Sequence, residues 1–244
     1  MRVQTHFMFF LVLVLFSVAG IWRLSAMPDF QLFGELKHRA EINDKWIALT
    51  FDDGPTPDKT EQILQILQTE QVPATFFLTG KEVAQHPDLV GKILAAGHQV
   101  GNHSYHHQRL IFKTPGYISR ELEQTDELLR QQGVDGVIYF RPPYGKKLLI
   151  LPWYLMKHHR VSVTWDVAPE NFPKIAKDPQ ALADHTVKHT RAGSIILLHV
   201  MYDSRAATMQ AVPEIIRRLK AQGYRFVTVH ELLKKEQAER ANHS

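Results

Sequence analysis

From Lys45 onward, short apolar runs alternate with amphipathic segments, and five of the runs end in polar clusters. Residues 46–51 (WIALTF) end at Asp52-Asp53-Gly54-Pro55. Residues 98–101 run into His103-Ser104-Tyr105-His106-His107. Residues 137–140 deliver Arg141-Pro142-Pro143-Tyr144-Gly145, residues 161–165 lead to Asp166, and residues 194–199 (SIILLH) finish on His199. Two further runs, 74–78 and 225–229, bring the predicted strands to seven. Helical periodicity predicts helices over 58–69, 87–96, 119–131, 148–158, 179–190 and 208–222, and from Glu231 on, with Pro152 marking the true start of the fourth. Strands alternating with helices imply a parallel sheet with helical crossovers. The expected fold is α/β, a distorted (β/α) barrel of about seven parallel strands. In such a barrel the strand C-terminal ends share one face, where an active site is built.

The chain has 244 residues, 44% hydrophobic and 22% charged, enough for one sizeable core over residues 43–236. Its net charge is +4 and its lysines and arginines are scattered, so no basic block argues for nucleic acid. There are no cysteines, which excludes disulfides and thiolate ligands. Any metal is left to His, Asp or Glu. Residues 7–22 (FMFFLVLVLFSVAGIW) carry no charge. Residues 1–26 are therefore expected to be a signal anchor or signal peptide, with the uncleaved anchor preferred. Residues 27–42 are expected as a linker and 237–244 as a tail. The domain over residues 43–236 is then exported, membrane-anchored on the extracytoplasmic side or, alternatively, secreted after cleavage.

His103 and His107 lie four residues apart, so on a helix or tight turn they face one ion. Taken alone, the pair fits a histidine-rich surface equally well. Asp52-Asp53-Gly54 alone fits an ordinary turn. Adjacent residues at a strand end point in different directions, however, so one carboxylate can bind metal while the other faces a substrate. Two His and one Asp leave open coordination positions for water and a substrate oxygen. Zinc suits this donor set, as do other first-row ions.

In this order, the clusters resemble the polysaccharide deacetylases, the NodB-like domain of carbohydrate esterase family four, over about residues 43 to 232. The matching motifs are Thr50-Phe51-Asp52-Asp53-Gly54-Pro55, His103-Ser104-Tyr105-His106-His107, Arg141-Pro142-Pro143-Tyr144 and Leu197-Leu198-His199. The resemblance implies one divalent ion, zinc by preference, on Asp53, His103 and His107. It implies Asp52 as general base, Arg141 as the residue that positions and tunes it, and the Tyr144 backbone N–H as an oxyanion donor. His199 would be the general acid, and Leu197 would line the pocket for the acetyl methyl group. The implied activity removes acetyl groups from N-acetylated sugars of a cell-envelope or extracellular polysaccharide. O-acetyl or lipid-linked sugar substrates and a non-catalytic carbohydrate-binding relative are the alternatives.

One motif departs from the family pattern. Where the family often carries Asp-x-x-Asp-Trp, this chain has Ala168-Pro169-Glu170-Asn171-Phe172. Asn171 is expected to hydrogen-bond the acid histidine without supplying charge, and Phe172 to replace a groove-lining Trp. Asp166 or Glu170 are the candidates for the missing charge. The polymer itself is not named by the sequence: peptidoglycan, chitin oligomers and a surface exopolysaccharide all stay open.

Overall fold

The computed structural model describes residues 2–243. In chain order the elements are α1 (Arg2–Leu24), β1 (Leu36–Lys37), β2 (Trp46–Asp52), α2 (Pro57–Thr69), β3 (Thr75–Leu78), α3 (Gly80–Gln85), α4 (Pro87–Ala95), β4 (Gln99–Asn102) and α5 (Pro115–Gln131). Then follow α6 (Ile150–Lys157), β5 (Ser162–Val163), α7 (Pro179–His189), β6 (Ile195–His199), α8 (Ala206–Ala221), β7 (Arg225–Val227) and α9 (Val229–His243).

β2 organises the sheet. β6 pairs with it along Ala48–Asp52, β3 with its second half and β7 with its first, and β4 extends beyond β3. Every one of these pairings is parallel, as helical crossovers require. Parallel single-residue bridges, Asn102 to Phe140, Phe140 to Ser162 and Val167 to Ile196, carry the sheet past β4 and back towards β6. The result is the distorted parallel barrel that the alternation predicts, hydrogen-bonded continuously on one side and only by bridges on the other.

Both faces of β2 are buried, which explains its unbroken apolar run. Ile47, Leu49 and Phe51 face outward and join Ile196, Leu198, Ile63, Ile215 and Ile216 beneath the helices. Ala48 faces inward and packs with Phe77, Val163, Trp165 and Leu197, a smaller core capped by Val229, Leu232 and Leu233 of α9. Inward positions two residues apart along β2 and β6 then place Thr50, Asp52 and His199 on the inner side at the strand ends.

Several boundaries differ from the sequence expectation, each for a local reason. Only Phe140 of 137–140 pairs, and the pairing stops after the Arg141 N–H, which donates to the Asn102 carbonyl, because Pro142 and Pro143 supply no N–H. α5 starts at Pro115, since Thr114 accepts from the Tyr117 N–H and Pro115 suits a first turn. α6 starts at Ile150, and Pro152 sits in its first turn, where no N–H is needed. α3, a single short helix, was not predicted. α9 runs through residues 237–243, expected as a tail, with its Glu236 buried against Lys37 at 2.6 Å. Residues 27–42 include β1, parallel to β5, and the buried Ala40. Among the described residues no helix is long and apolar enough to cross a membrane. The apolar run of α1 includes Phe7, Phe9 and Phe10, whose side chains lie outside the described residues.

Leu198 is fully buried on the outward side of β6. Leu198→Ala should lower the unfolding free energy by about 2–5 kcal/mol through lost contacts and the cavity left behind. Urea denaturation checks this; a loss under about 1 kcal/mol would contradict its place in the core.

Candidate metal centre and active site

The end of β2 sets the site. Asp52 is the partner of His199 across the β2–β6 pairing and of Phe77 across β2–β3. Arg141, fully buried, donates from Nη1 to Asp52 Oδ1 at 2.6 Å and to Thr50 Oγ1 at 2.8 Å. Its Nε and Nη2 donate to the carbonyls of Val163 and Thr164, and its plane lies 4.0 Å from the Phe77 ring centroid. Burial alone would raise the Asp52 pKa. The charge of Arg141 opposes it, helped by His103, His199 and the Arg141 hydrogen bond, and the carboxyl is held below the usual range. Asp52 is therefore an ionised carboxylate at neutral pH, with Oδ1 fixed and Oδ2 facing His103 Nε2 at 3.5 Å.

The chain turns sharply after Asp52. Asp53 and Gly54 both have positive φ, and a Cβ on Gly54 would stand 2.7 Å from Met201 Cγ, so glycine is required there. The turn swings the Asp53 carboxylate away from that of Asp52 and towards the histidines.

His103 and His107 sit on a loop rather than a helix, with Ser104 and His107 at positive φ. Neighbouring elements hold the loop. The first N–H groups of α3 donate to the carbonyls of Ser104 and Tyr105. Buried Glu121 of α5 accepts from the N–H groups of Tyr105 and His106 and meets His106 Nδ1 at 2.6 Å. His106 is thus a brace and points away from the other two rings. His103 Nδ1 lies 2.8 Å from the Arg141 carbonyl, which can only accept, so the proton is on Nδ1 and the Nε2 lone pair is free.

One ligand atom from each of Asp53, His103 and His107 lies within 4.8 Å of the others. Asp53 Oδ1 is 3.4 Å from His107 Nε2 and 3.9 Å from His103 Nε2. Burial, and then the neighbouring His103, push the His107 pKa down to about 4, so its ring is neutral at pH 7 as a ligand must be. Two imidazoles and one carboxylate fit a divalent first-row ion.

His199 closes the other side. Its Nδ1 meets Glu170 Oε2 at 2.6 Å, and its backbone N–H donates to the same oxygen at 3.0 Å. Thr208 Oγ1 and the Arg205 guanidinium hold the second oxygen of Glu170. Burial opposes charging the imidazole. The hydrogen bond and charge of Glu170 outweigh it, with Asp52 and Asp53 adding, and the His199 pKa is raised. Glu170, rather than Asn171, is therefore the partner: a 3-10 turn over Pro169–Asn171 aims Glu170 inward and leaves Asn171 exposed. Asp166 is used elsewhere, accepting from Ser194 Oγ and the Ile195 N–H. Phe172 is half exposed and packs on His185 of α7.

Tyr144 occupies a one-turn 3-10 segment at φ 58. Among the described residues no acceptor meets its N–H. Its exposed ring lies 4.7 Å from the His107 ring and 4.3 Å from the Arg109 guanidinium. Leu197 is buried in the inner core two positions before His199, on the same side of β6.

The profile of a family described as polysaccharide deacetylase matches residues 39–159. A peptidoglycan-N-acetylglucosamine deacetylase of Bacillus cereus is 35% identical over 204 residues, covering 79% of this chain and 90% of the relative. The crystal structure of a peptidoglycan N-acetylglucosamine deacetylase in complex with a substituted N-oxidanyl-benzamide overlays with a TM-score of 0.77 at 29% identity, covering 82% of this chain and 92% of that one. A pseudoenzyme of carbohydrate esterase family four from Bacillus anthracis overlays with a TM-score of 0.75 at 26% identity, covering 84% of this chain and 70% of that one.

Glu170→Gln removes the charge that raises the His199 pKa, so the imidazole should lose its proton at a lower pH than in the wild type. Asn171→Ala should leave the titration in place. NMR titration of the His199 ring protons reads both, and a Glu170→Gln variant titrating like the wild type would contradict the assignment.

Proposed function

The chain belongs to the polysaccharide deacetylase family, and from that premise we propose that it is a metal-dependent hydrolase removing acetyl groups from N-acetylated sugars of peptidoglycan. Because the fold also occurs in a pseudoenzyme, the reading of turnover rests on the site. One observation carries it: the Asp53, His103 and His107 cluster stands beside an Arg141-held Asp52, with a Glu170-paired His199 on the adjacent strand end. The name of the Bacillus cereus relative supports the choice of polymer.

Zinc is the preferred ion on Asp53, His103 and His107; when bound, such an ion acidifies a water and polarises a carbonyl oxygen. Asp52 accepts the proton of the attacking water, its orientation fixed by Arg141. The unpaired Tyr144 N–H donates to the oxygen of the acetyl carbonyl as charge develops on it. His199, kept protonated by Glu170, gives its Nε2 proton to the departing amine nitrogen. That step matters because an amine is a poor leaving group until protonated. Leu197 and the half-exposed Phe172 are the apolar groups proposed to line the acetyl pocket and the sugar groove. Asn171, exposed beside Phe172, is left to sugar contact.

We place the domain outside the cytoplasm by the same proposal. The side chains of Leu11 to Phe16 on α1 are apolar and exposed, a surface that a lipid environment would cover.

Asp52→Asn should keep stoichiometric zinc and lose about 10²–10⁴-fold in kcat on N-acetylated glycan. Acetate release by the wild type is to be compared across peptidoglycan, chitin oligomers and acetylated exopolysaccharide, with zinc content measured on both proteins. No acetate from any of the three, with zinc bound, would overturn the enzymatic reading and favour a carbohydrate-binding relative.

A further inference from the structure

The residues just after α1 are tied to the loop that carries Tyr144. The Lys147 N–H donates to the Ser25 carbonyl at 2.8 Å. Lys146 Nζ donates to the Trp22 carbonyl at 2.8 Å and to Ser25 Oγ at 3.1 Å, and stands 3.8 Å from the Trp22 ring centroid. Lys147 Nζ donates to the Met27 carbonyl at 2.7 Å and to that of Gly145 at 3.3 Å. Thr164 Oγ1 donates to the Pro28 carbonyl at 2.6 Å. A Cβ on Gly145, which has φ +63, would lie 3.0 Å from Trp165 and 3.8 Å from the Ala26 carbonyl.

Both lysines are buried, with 6% and 2% of their surface exposed, and neither has a carboxylate within ion-pair distance among the described residues. A buried ammonium without acceptors is strongly disfavoured. Here three of the four Nζ acceptors, the Trp22 carbonyl, Ser25 Oγ and the Met27 carbonyl, lie at the C-terminal end of α1 and just beyond it. The Trp22 carbonyl is in the last turn of α1, among those a helix leaves without an intrahelical partner, at the end of its dipole that attracts cations. Lys146 caps the helix, and Lys147 ties the residues just beyond the helix to Gly145.

Lys146 and Lys147 directly follow the turn Pro143–Gly145 that holds Tyr144 at positive φ. We propose that residues 22–28 are a strap on the active-site rim, with Lys146, Lys147 and Thr164 as positioning residues that hold the Tyr144 N–H in place through it. The proposal rests on the oxyanion role given to Tyr144 above. It also bears on processing. A cut after Ala26 would sever the strap between Ser25 and Met27, whereas a cut after Ala19 would spare it. The active form therefore retains residues 22–28.

The test uses the full chain in detergent micelles with zinc. The variants are Lys146→Met, Lys147→Met, the double variant, Lys147→Arg and the isosteric Thr164→Val. Activity is normalised to bound metal, and hydrogen exchange of residues 143–147 is followed separately. In the double variant kcat should fall about 10–100-fold, the scale expected when a transition-state donor is misplaced, with KM within about threefold and zinc content unchanged. Exchange at 143–147 should speed up. Lys147→Arg should recover most of the activity lost in Lys147→Met. A purely structural role would lower the folded fraction and leave kcat per bound zinc where it was. Should the double variant not fold, Thr164→Val decides: faster exchange at 143–147 with a few-fold lower kcat supports the strap. Wild-type kcat and exchange in the folded variants overturn it. A wild type that binds zinc and releases no acetate sinks the proposed function instead, and exchange alone then reports on the strap.

Discussion

Arg141 is the residue on which the site is hung. A fully buried guanidinium needs nearly every N–H satisfied, and here four donated bonds go to Asp52, Thr50, Val163 and Thr164. Those partners come from β2 and from the segment at and after β5, so one side chain ties together the two sides of the barrel. Removing one member of a buried pair leaves the other charge uncompensated, at a cost of about 3–5 kcal/mol. The arrangement commits Asp52 Oδ1 to Arg141 and leaves Oδ2 as the oxygen facing His103. The Arg141 carbonyl does a second job by holding the proton of His103 on Nδ1. A single residue thereby sets the ionisation of the proposed base and the tautomer of a proposed metal ligand.

Backbone strain is gathered at the same place. Among the described residues seven non-glycine residues have positive φ, and four of them, Asp53, Ser104, His107 and Tyr144, belong to the Asp53, His103 and His107 cluster or to the loops around it. Each such conformation costs on the order of 1–3 kcal/mol and persists only where surrounding contacts over-determine it. Those contacts are visible: Asn102 Oδ1 accepts from the Ser104 N–H, Ser104 Oγ from the His107 N–H, and Glu121 from the two residues between. The strain aims side chains that a regular strand or helix would send elsewhere.

The residues that lie at strand ends were legible in the sequence because a run of apolar residues stopping at a polar cluster is a local signal. Asp52, Asp53, His103, His107, Arg141 and His199 were all named on that basis, and the structure brings them to one mouth. The partner of His199 was legible only as a choice, with Glu170 and Asp166 as candidates for the charge and Asn171 expected to make the hydrogen bond. Glu170 and Asn171 are adjacent, and which of them faces inward depends on the register of a 3-10 turn that no periodicity reports. The loop geometry of His103 and His107 was hidden for a similar reason, since a spacing of four is shared by helices and by strained turns. β1 is two residues long and pairs across more than a hundred residues of chain. The ties between residues 22–28 and Lys146 and Lys147 are equally long-range. Two lysines after a proline-rich motif look like solvated surface until the helix end that satisfies them is in place.

The central claim is that Asp53, His103 and His107 hold the ion while Asp52 stays free of it, committed to Arg141. Anomalous scattering from crystals of the zinc-loaded protein tests this most directly. One site should appear about 2.0–2.2 Å from a carboxylate oxygen of Asp53 and from Nε2 of both histidines, with Asp52 Oδ1 still paired to Arg141. A zinc ion coordinated by Asp52, or one bound without His103 and His107, would contradict the account.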